Sequence, residues 1–205
     1  MTPFMAAERE RSWRDTIFAQ RGTLLALPAV ALGIFGKPTA QSTALGVPVA
    51  LAGEAIRCWA VGYSGVTTRG DTVTAPALTT AGPYAYVRNP LYVGNFITAL
   101  GFTIAFTGGD APPKRLALGV LGLGTMLAVY AAIVPLEENY LRGTFGADFD
   151  AYTQRVPRLV PRTTAAQPQS GSYDASVIAK AETRTFVTFG AMLVALALKA
   201  GRSEN

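Results

Sequence analysis

An all-α integral-membrane bundle of about five transmembrane helices is the fold class that this chain predicts, and three observations carry it. Half of the 205 residues are apolar and only 15% are charged, against about 25% charged in soluble domains. Mean hydropathy is +0.27, on the apolar side of zero. Five stretches approach the roughly 20 apolar residues that a spanning helix needs. Five such helices occupy about half the chain, which leaves no room for a separate soluble domain. The amount of apolar surface also excludes global disorder.

The first stretch runs from Thr23 to Gly36 and extends back through Ile17 and Phe18. The second, Thr43 to Tyr63, is interrupted by Glu54 and Arg57. The third is Leu91 to Thr107, and the fourth, Leu116 to Leu136, is the cleanest. The fifth is Thr185 to Lys199. Gly119, Gly122 and Gly124 in the fourth and Gly190 and Ala191 in the fifth allow close helix approach; the last pair serves equally as a homodimer face, and ordinary small-residue packing is the plainer reading of all five. Residues 163–176 are small, polar and broken by Pro and Gly, the composition of a flexible linker. The expected organisation is a core over 1–162, a linker over 163–184 and an additional C-terminal spanning helix over 185–205.

Lys and Arg set the orientation. With the N-terminus inside, Arg9, Arg11, Arg14, Arg21, Arg69 and Arg88 join Arg142, Arg155, Arg158 and Arg162 on one side, while Lys37, Lys114 and Arg115 face the other. Both long polar segments, 64–90 and 137–184, then lie on the cytoplasmic side of a bacterial inner membrane. The net charge of +5 is accounted for by a basic rim facing anionic lipid, and no nucleic-acid-binding motif competes. Histidine is absent and Cys58 is the only cysteine. That excludes histidine general bases, an internal disulfide and any His or multi-Cys metal site.

Glu54 and Arg57 sit three apart and share a helix face. Ionisable groups at mid-membrane cost roughly 2.5–3.5 kcal/mol each. They read either as a self-neutralising pair that snorkels to the interface or as the wall of a polar pocket. In Gly82-Pro83-Tyr84-Ala85-Tyr86-Val87-Arg88-Asn89-Pro90, Pro90 suits the first turn of the third helix. Arg88 and Asn89 then stand at its entrance, where free backbone N–H groups favour an anion; an aromatic and arginine interface belt is the other reading. Glu137 and Glu138 end the fourth span, where the helix dipole disfavours them. Arg88 and Arg57 are the candidate partners, and a solvated membrane boundary is the alternative.

The run Gly82-Pro83-Tyr84-x-Tyr86-Val87-Arg88-Asn89-Pro90-x-Tyr92-x-Gly94 resembles the signature of integral-membrane methyltransferases of the isoprenylcysteine carboxyl methyltransferase and phospholipid N-methyltransferase group. Glu137, Glu138 and Leu141, followed by Phe145-Gly146 and by Tyr152 with Val156-Pro157-Arg158, resemble its second motif. The resemblance runs from about Gly46 to Pro161. Asn89 stands where well-known members have His, and asparagine cannot titrate. Ile133 and Val134 stand where eukaryotic members often place an Arg.

The resemblance implies S-adenosylmethionine as cofactor and a lipid or lipidated small molecule as acceptor. It implies a cytoplasmic cofactor pocket walled by Tyr84, Val87, Arg88, Asn89, Tyr92 and Gly94. Arg88 would pair with the methionine carboxylate, Gly94 would allow close backbone or adenosine approach, and Glu137 or Glu138 would accept from ribose hydroxyls or the amino group. The segment through Tyr152 and Arg158 would fold back as a lid. Glu54 and Arg57 would line a substrate side reached laterally from lipid. Arg88, Glu138 and Glu54 form the expected catalytic set. A carboxylate acceptor arrives ionised and needs no base, whereas an amine must lose a proton to Glu54 or Glu138. The expected activity is of the isoprenylcysteine carboxyl O-methyltransferase type. A phosphatidylethanolamine-type N-methyltransferase and a non-enzymatic scaffold with a collapsed pocket are the alternatives.

Overall fold

The computed structural model describes residues 13–65 and 75–203. Arg9, Arg11 and Arg69, which enter the orientation argument, lie outside the described residues. The elements are α1 (Trp13–Phe35), α2 (Ala40–Ser64), a 3-10 turn (Gly82–Ala85), α3 (Pro90–Thr107), α4 (Pro112–Gly119), a π-helical turn (Val120–Gly124), α5 (Thr125–Phe145), α6 (Ala147–Arg155) and α7 (Ser176–Ser203). No strand occurs among the described residues. Five helices are long and apolar enough to cross a membrane, with α4, the π turn and α5 running on as one span, Pro112–Phe145.

Local chemistry sets the boundaries. Thr39 caps α2 in a reciprocal box: its hydroxyl accepts from the Ser42 N–H at 3.1 Å, and the Ser42 hydroxyl accepts from the Thr39 N–H at 3.0 Å. The Ser42 hydroxyl also donates to Ala105 O at 2.8 Å, which joins α2 to α3 at one end. Pro90 opens α3, where its missing N–H is no loss. Several helices exceed their apolar stretches because polar turns continue them: α1 starts at Trp13, and the fourth span runs on to Phe145. The last helix, α7, likewise starts at Ser176 rather than Thr185. Ala, Lys and Glu in this added length are good helix formers, and apolar content alone does not register them.

The close helix contact lies elsewhere than the sequence indicates. A Cβ on Gly46 would meet Gly101 O at 2.4 Å, and one on Gly53 would meet the Thr98 N at 2.5 Å. Across the interface, a Cβ on Gly94 would meet the Arg57 Cγ at 2.7 Å, and one on Gly101 the Ala50 N at 2.3 Å. Two glycines on each helix, seven residues apart, let the α2 and α3 backbones touch. At Gly119, Gly122, Gly124 and Gly190 the ordinary-packing reading holds rather than close approach. Added Cβ atoms at Gly119, Gly122 and Gly124 would make ordinary contacts, and one at Gly190 would meet nothing within 4 Å. Glycine abundance in a span does not say which face packs.

The two ends differ. At one, short turns join α1 to α2 and α3 to α4, tied by Asp110, whose carboxylate accepts from the Lys37 N–H at 2.9 Å and pairs with Lys114 at 2.7 Å. At the other lie the 3-10 turn, α6 and the long segment before α7. That segment is bonded along its length: Arg162 N–H donates to Tyr86 O, Ala166 N–H to Ala85 O, and Asp174 N–H to Gly62 O.

Candidate functional site

A cavity of about 970 Å³ opens at the loop-rich end and runs into the bundle, walled by α1, α2, α3, α5, α6 and α7. Its chemistry changes with depth. The mouth carries Tyr84, Arg88, Asn89, Tyr92, Glu137 and Glu138. The middle carries Glu54, Arg57, Asn95 and Glu182. The far part is lined by Leu32, Phe102, Met126, Phe189 and Met192.

At the mouth, Glu138 is bridged by two arginines. Arg88 Nε donates to its Oε1 at 3.0 Å, Arg158 Nε donates to the same oxygen at 3.1 Å, and Arg158 Nη2 pairs with Oε2. Arg88 Nη1 also donates to Val156 O at 2.5 Å and Thr153 O at 3.2 Å. One guanidinium thus ties the start of α3 to the end of α5 and to the chain leaving α6. Asn89 Nδ2 donates to Arg158 O at 3.0 Å, and Tyr152 Oη to Tyr84 O at 2.8 Å. Burial pushes the Tyr84 hydroxyl up to about 12 and raises that of Tyr152 as well, so both remain protonated donors at neutral pH. Tyr92 Oη donates to Glu137 Oε1 at 2.6 Å.

In the middle, Arg57 is the hub. Its Nε lies 3.3 Å from Glu54 Oε2, its Nη1 bonds the Asn95 side chain, and its Nη2 bonds Glu182 and, at 3.2 Å, the Thr185 hydroxyl. Three helices, α2, α3 and α7, meet there. Arg57 is a partner of Glu54 and Glu182 rather than of Glu137 or Glu138.

Of the residues selected from sequence, Glu54, Arg57, Tyr84, Arg88, Asn89, Tyr92, Glu137 and Glu138 share this one cavity. Two stand apart. Val87 lines a small apolar recess with Trp59, Tyr86 and Pro161, and Gly94 is pressed against Arg57 and Gly53. Sequence reasoning missed Glu182, buried to 1% exposure, because it falls within the expected linker. A signal existed: Glu182, Thr185, Phe189, Met192 and Leu196 fall at helical spacing, so the inward stripe of the last helix extends back through Glu182.

The phospholipid methyltransferase family profile matches residues 42–148, which hold both the Arg88 and the Glu138 ends of the mouth cluster. The chain belongs to this family. Among curated relatives of this phospholipid methyltransferase family member, the nickel-cobalt-cadmium resistance protein NccN of Alcaligenes xylosoxydans xylosoxydans is 30% identical over 126 residues, 62% of this chain and 51% of that protein. The protein-S-isoprenylcysteine O-methyltransferase of Schizosaccharomyces pombe is 36% identical over 84 residues, 41% of this chain and 33% of that protein. Protein-S-isoprenylcysteine O-methyltransferase B of Arabidopsis thaliana is 33% identical over 84 residues, 41% and 39% respectively. The chain thus spans about half the length, or less, of these relatives. No solved structure matches it.

Proposed function

We propose that this chain is an integral-membrane methyltransferase that uses S-adenosylmethionine and acts on a lipid-like acceptor, of the isoprenylcysteine carboxyl O-methyltransferase type. The observation that carries the reading is one cavity whose mouth holds both family motifs and whose interior turns apolar with depth. An amphiphile that exposes its reactive group at the mouth and its chain below matches that gradient. An open cavity of this kind also disfavours the scaffold reading. The isoprenylcysteine O-methyltransferases among the relatives support the carboxylate acceptor. The family profile keeps a phospholipid amine as the second reading, with Glu54 or Glu138 as the proton acceptor that such a substrate needs.

The residues present fit the cofactor. The cavity volume falls in the range of about 300–1,000 Å³ usual for cofactor sites. Glu137 offers acceptor oxygens for hydroxyl or amino groups, and Tyr84, Tyr92 and Tyr130 bring aromatic rings, which attract cations such as a sulfonium, to the cavity wall. When bound, the cofactor supplies the activated methyl group, and the protein's share is binding and alignment. Arg88 fixes the Glu138 carboxylate and the chain after α6 against the mouth. Tyr92 aims Glu137. Arg57, held by Glu54 and Glu182, forms the boundary between the polar and apolar compartments. Asn89 bonds backbone and has no proton-shuttle role. The mouth faces the cytoplasm, which places the basic end of the chain inside.

The test is calorimetric binding of S-adenosylmethionine to the detergent-purified protein, followed by methyl transfer to an S-prenylated cysteine carboxylate and, separately, to phosphatidylethanolamine. Arg88→Ala and Glu138→Ala are expected to weaken binding about tenfold or more, some 1.4 kcal/mol. Absence of binding to the folded wild-type chain sinks the proposal; full affinity in both variants removes the mouth cluster from the site.

A further inference from the structure

We infer that the bend after α6, residues 157–161, is an anchor that docks on a negatively charged bilayer surface, with Leu159 and Val160 inserted at the boundary between headgroups and acyl chains. The inference does not rest on the methyl-transfer reading. Its consequence falls on the mouth of the cavity, because Arg158 in the same bend pairs with Glu138.

The depth of this bend is set by α2. Leu51, Ala55 and Trp59 recur at every fourth position on that spanning helix, and all three are exposed. They form its lipid-facing stripe. Trp59 lies about 7–8 Å short of the end of α2 at Ser64, the interfacial level at which Trp collects in membrane proteins. Trp59, Tyr86, Val93 and Pro161 line the small apolar recess, about 220 Å³ in volume. Of the recess residues only Pro90 also lines the large cavity. On α2, Glu54 and Arg57 face the cavity, whereas Ile56 and Trp59 face the recess. Through Pro161 the bend therefore lies against the outer face of α2 and α3 at the level of Trp59, where lipid headgroups are the neighbours.

The bend presents two apolar side chains at that level. Val160 is 78% exposed and Leu159 41%. Single exposed apolar residues are ordinary on protein surfaces; these two are adjacent, and the bend that carries them is fastened at both ends. Arg88 N–H donates to Pro157 O at 2.9 Å and Arg162 N–H to Tyr86 O at 3.0 Å, so residues 158–161 lie between two fixed points. Pro157 and Pro161 fix φ at either end, and Val160, which precedes a proline, is restricted toward extended backbone. The ordering cost of insertion is therefore largely met on folding. Charge agrees with apolarity. Residues 151–173 hold Arg155, Arg158 and Arg162 and no Asp or Glu. Arg155 and Arg162 bond neutral backbone carbonyls, which do not cancel their charge and leave it to attract anionic lipid. Apolar side chains flanked by basic ones are the composition of interfacial segments. The contact reaches the mouth through Arg158, whose Nε donates to Glu138 and whose carbonyl accepts from Asn89 Nδ2.

The experiment uses the full chain in nanodiscs of phosphatidylcholine containing phosphatidylglycerol. Val160→Cys in a Cys58→Ala background carries a nitrobenzoxadiazole label, and Asp148→Cys, at an exposed position of α6, calibrates access from water. Lipid bearing a nitroxide near the top of its acyl chain is expected to quench the label at 160 about threefold more than a water-soluble nitroxide does. About half of that lipid quenching should disappear in pure phosphatidylcholine. A second measurement needs no label, namely amide hydrogen exchange in the same nanodiscs. Leu159→Ser combined with Val160→Ser is expected to speed exchange of the Arg88 and Arg162 amides about tenfold, with the amides of Gly53 and Gly101 unchanged. A label at 160 quenched mainly from water, lipid quenching indifferent to phosphatidylglycerol, or Arg88 and Arg162 amides indifferent to the paired serines would overturn the inference. Neither readout needs a methyl donor, so loss of the proposed activity and loss of the anchor are separate results.

Discussion

Two ion clusters sit one above the other in the same cavity, and they differ in which charge stands at the centre. At the mouth, Arg88 and Arg158 converge on Glu138, and the Arg158 side chain is half exposed. In the middle, Glu54 and Glu182 converge on Arg57, with every side chain at 10% exposure or less. The first joins loops to helix ends and remains near water. The second joins three helices within the apolar bundle. An ion cluster buried so deeply is weak evidence of stability by itself, because desolvation offsets most of the attraction.

The largest effect expected from this contrast is at Glu182. Replacing it with Ala leaves part of the Arg57 charge buried without its partner, a loss of about 3–5 kcal/mol. Thermal unfolding in detergent measures it. Replacing Arg57 with Met and Glu182 with Leu together is expected to recover much of that loss, since no bare charge then remains. A Glu182→Ala protein as stable as wild type would break the comparison.

A smaller effect is expected at the far end of the bundle, where Asp110 serves as a control ion pair. Burial opposes its charge, but bonds from Lys114 and the Lys37 N–H prevail and hold its carboxyl below the usual range. A depressed folded value contributes stability above the unfolded value, near 3.9, and that contribution disappears as pH falls through the folded value. Asp110→Asn should therefore cost about 1 kcal/mol at neutral pH. The gap from wild type should narrow below about pH 4; a constant gap across that range counts against the assignment.

The smallest effect is expected at Arg158. Its exposed guanidinium is screened, and Arg88 still holds Glu138 after Arg158→Ala. The loss should not exceed about 1 kcal/mol. Faster proteolysis of the segment after α6 is the accompanying sign, because the side chain helps fasten that segment to α5.

The bundle was legible because spanning helices are written in composition. A run such as Leu116 to Leu136 has one stable fate in hydrocarbon, where every backbone polar group must be satisfied within the helix. The mouth was legible for a different reason. Gly82-Pro83, Pro90 and the Glu137-Glu138 pair mark element ends, and residues at the ends of adjacent helices are brought together by topology. Arg88 as a partner of Glu138 follows from that.

Three features depended on the tertiary structure. Composition could not choose between Gly46, Gly53, Gly94 and Gly101 and the glycines of the fourth and fifth spans, because a small residue permits close packing without requiring it. Nor could it bring Glu182 to Arg57, 125 positions away, because hydropathy treats a charged residue before an apolar run as outside the membrane. The cavity itself is a property of spacing between helices. The sequence by itself determined which segments are apolar enough to cross and, at Pro90, where one of them opens, since those depend on local transfer free energy and local hydrogen bonding. Which faces meet, and where a cavity is left between them, was decided only by packing, which depends on all the helices at once.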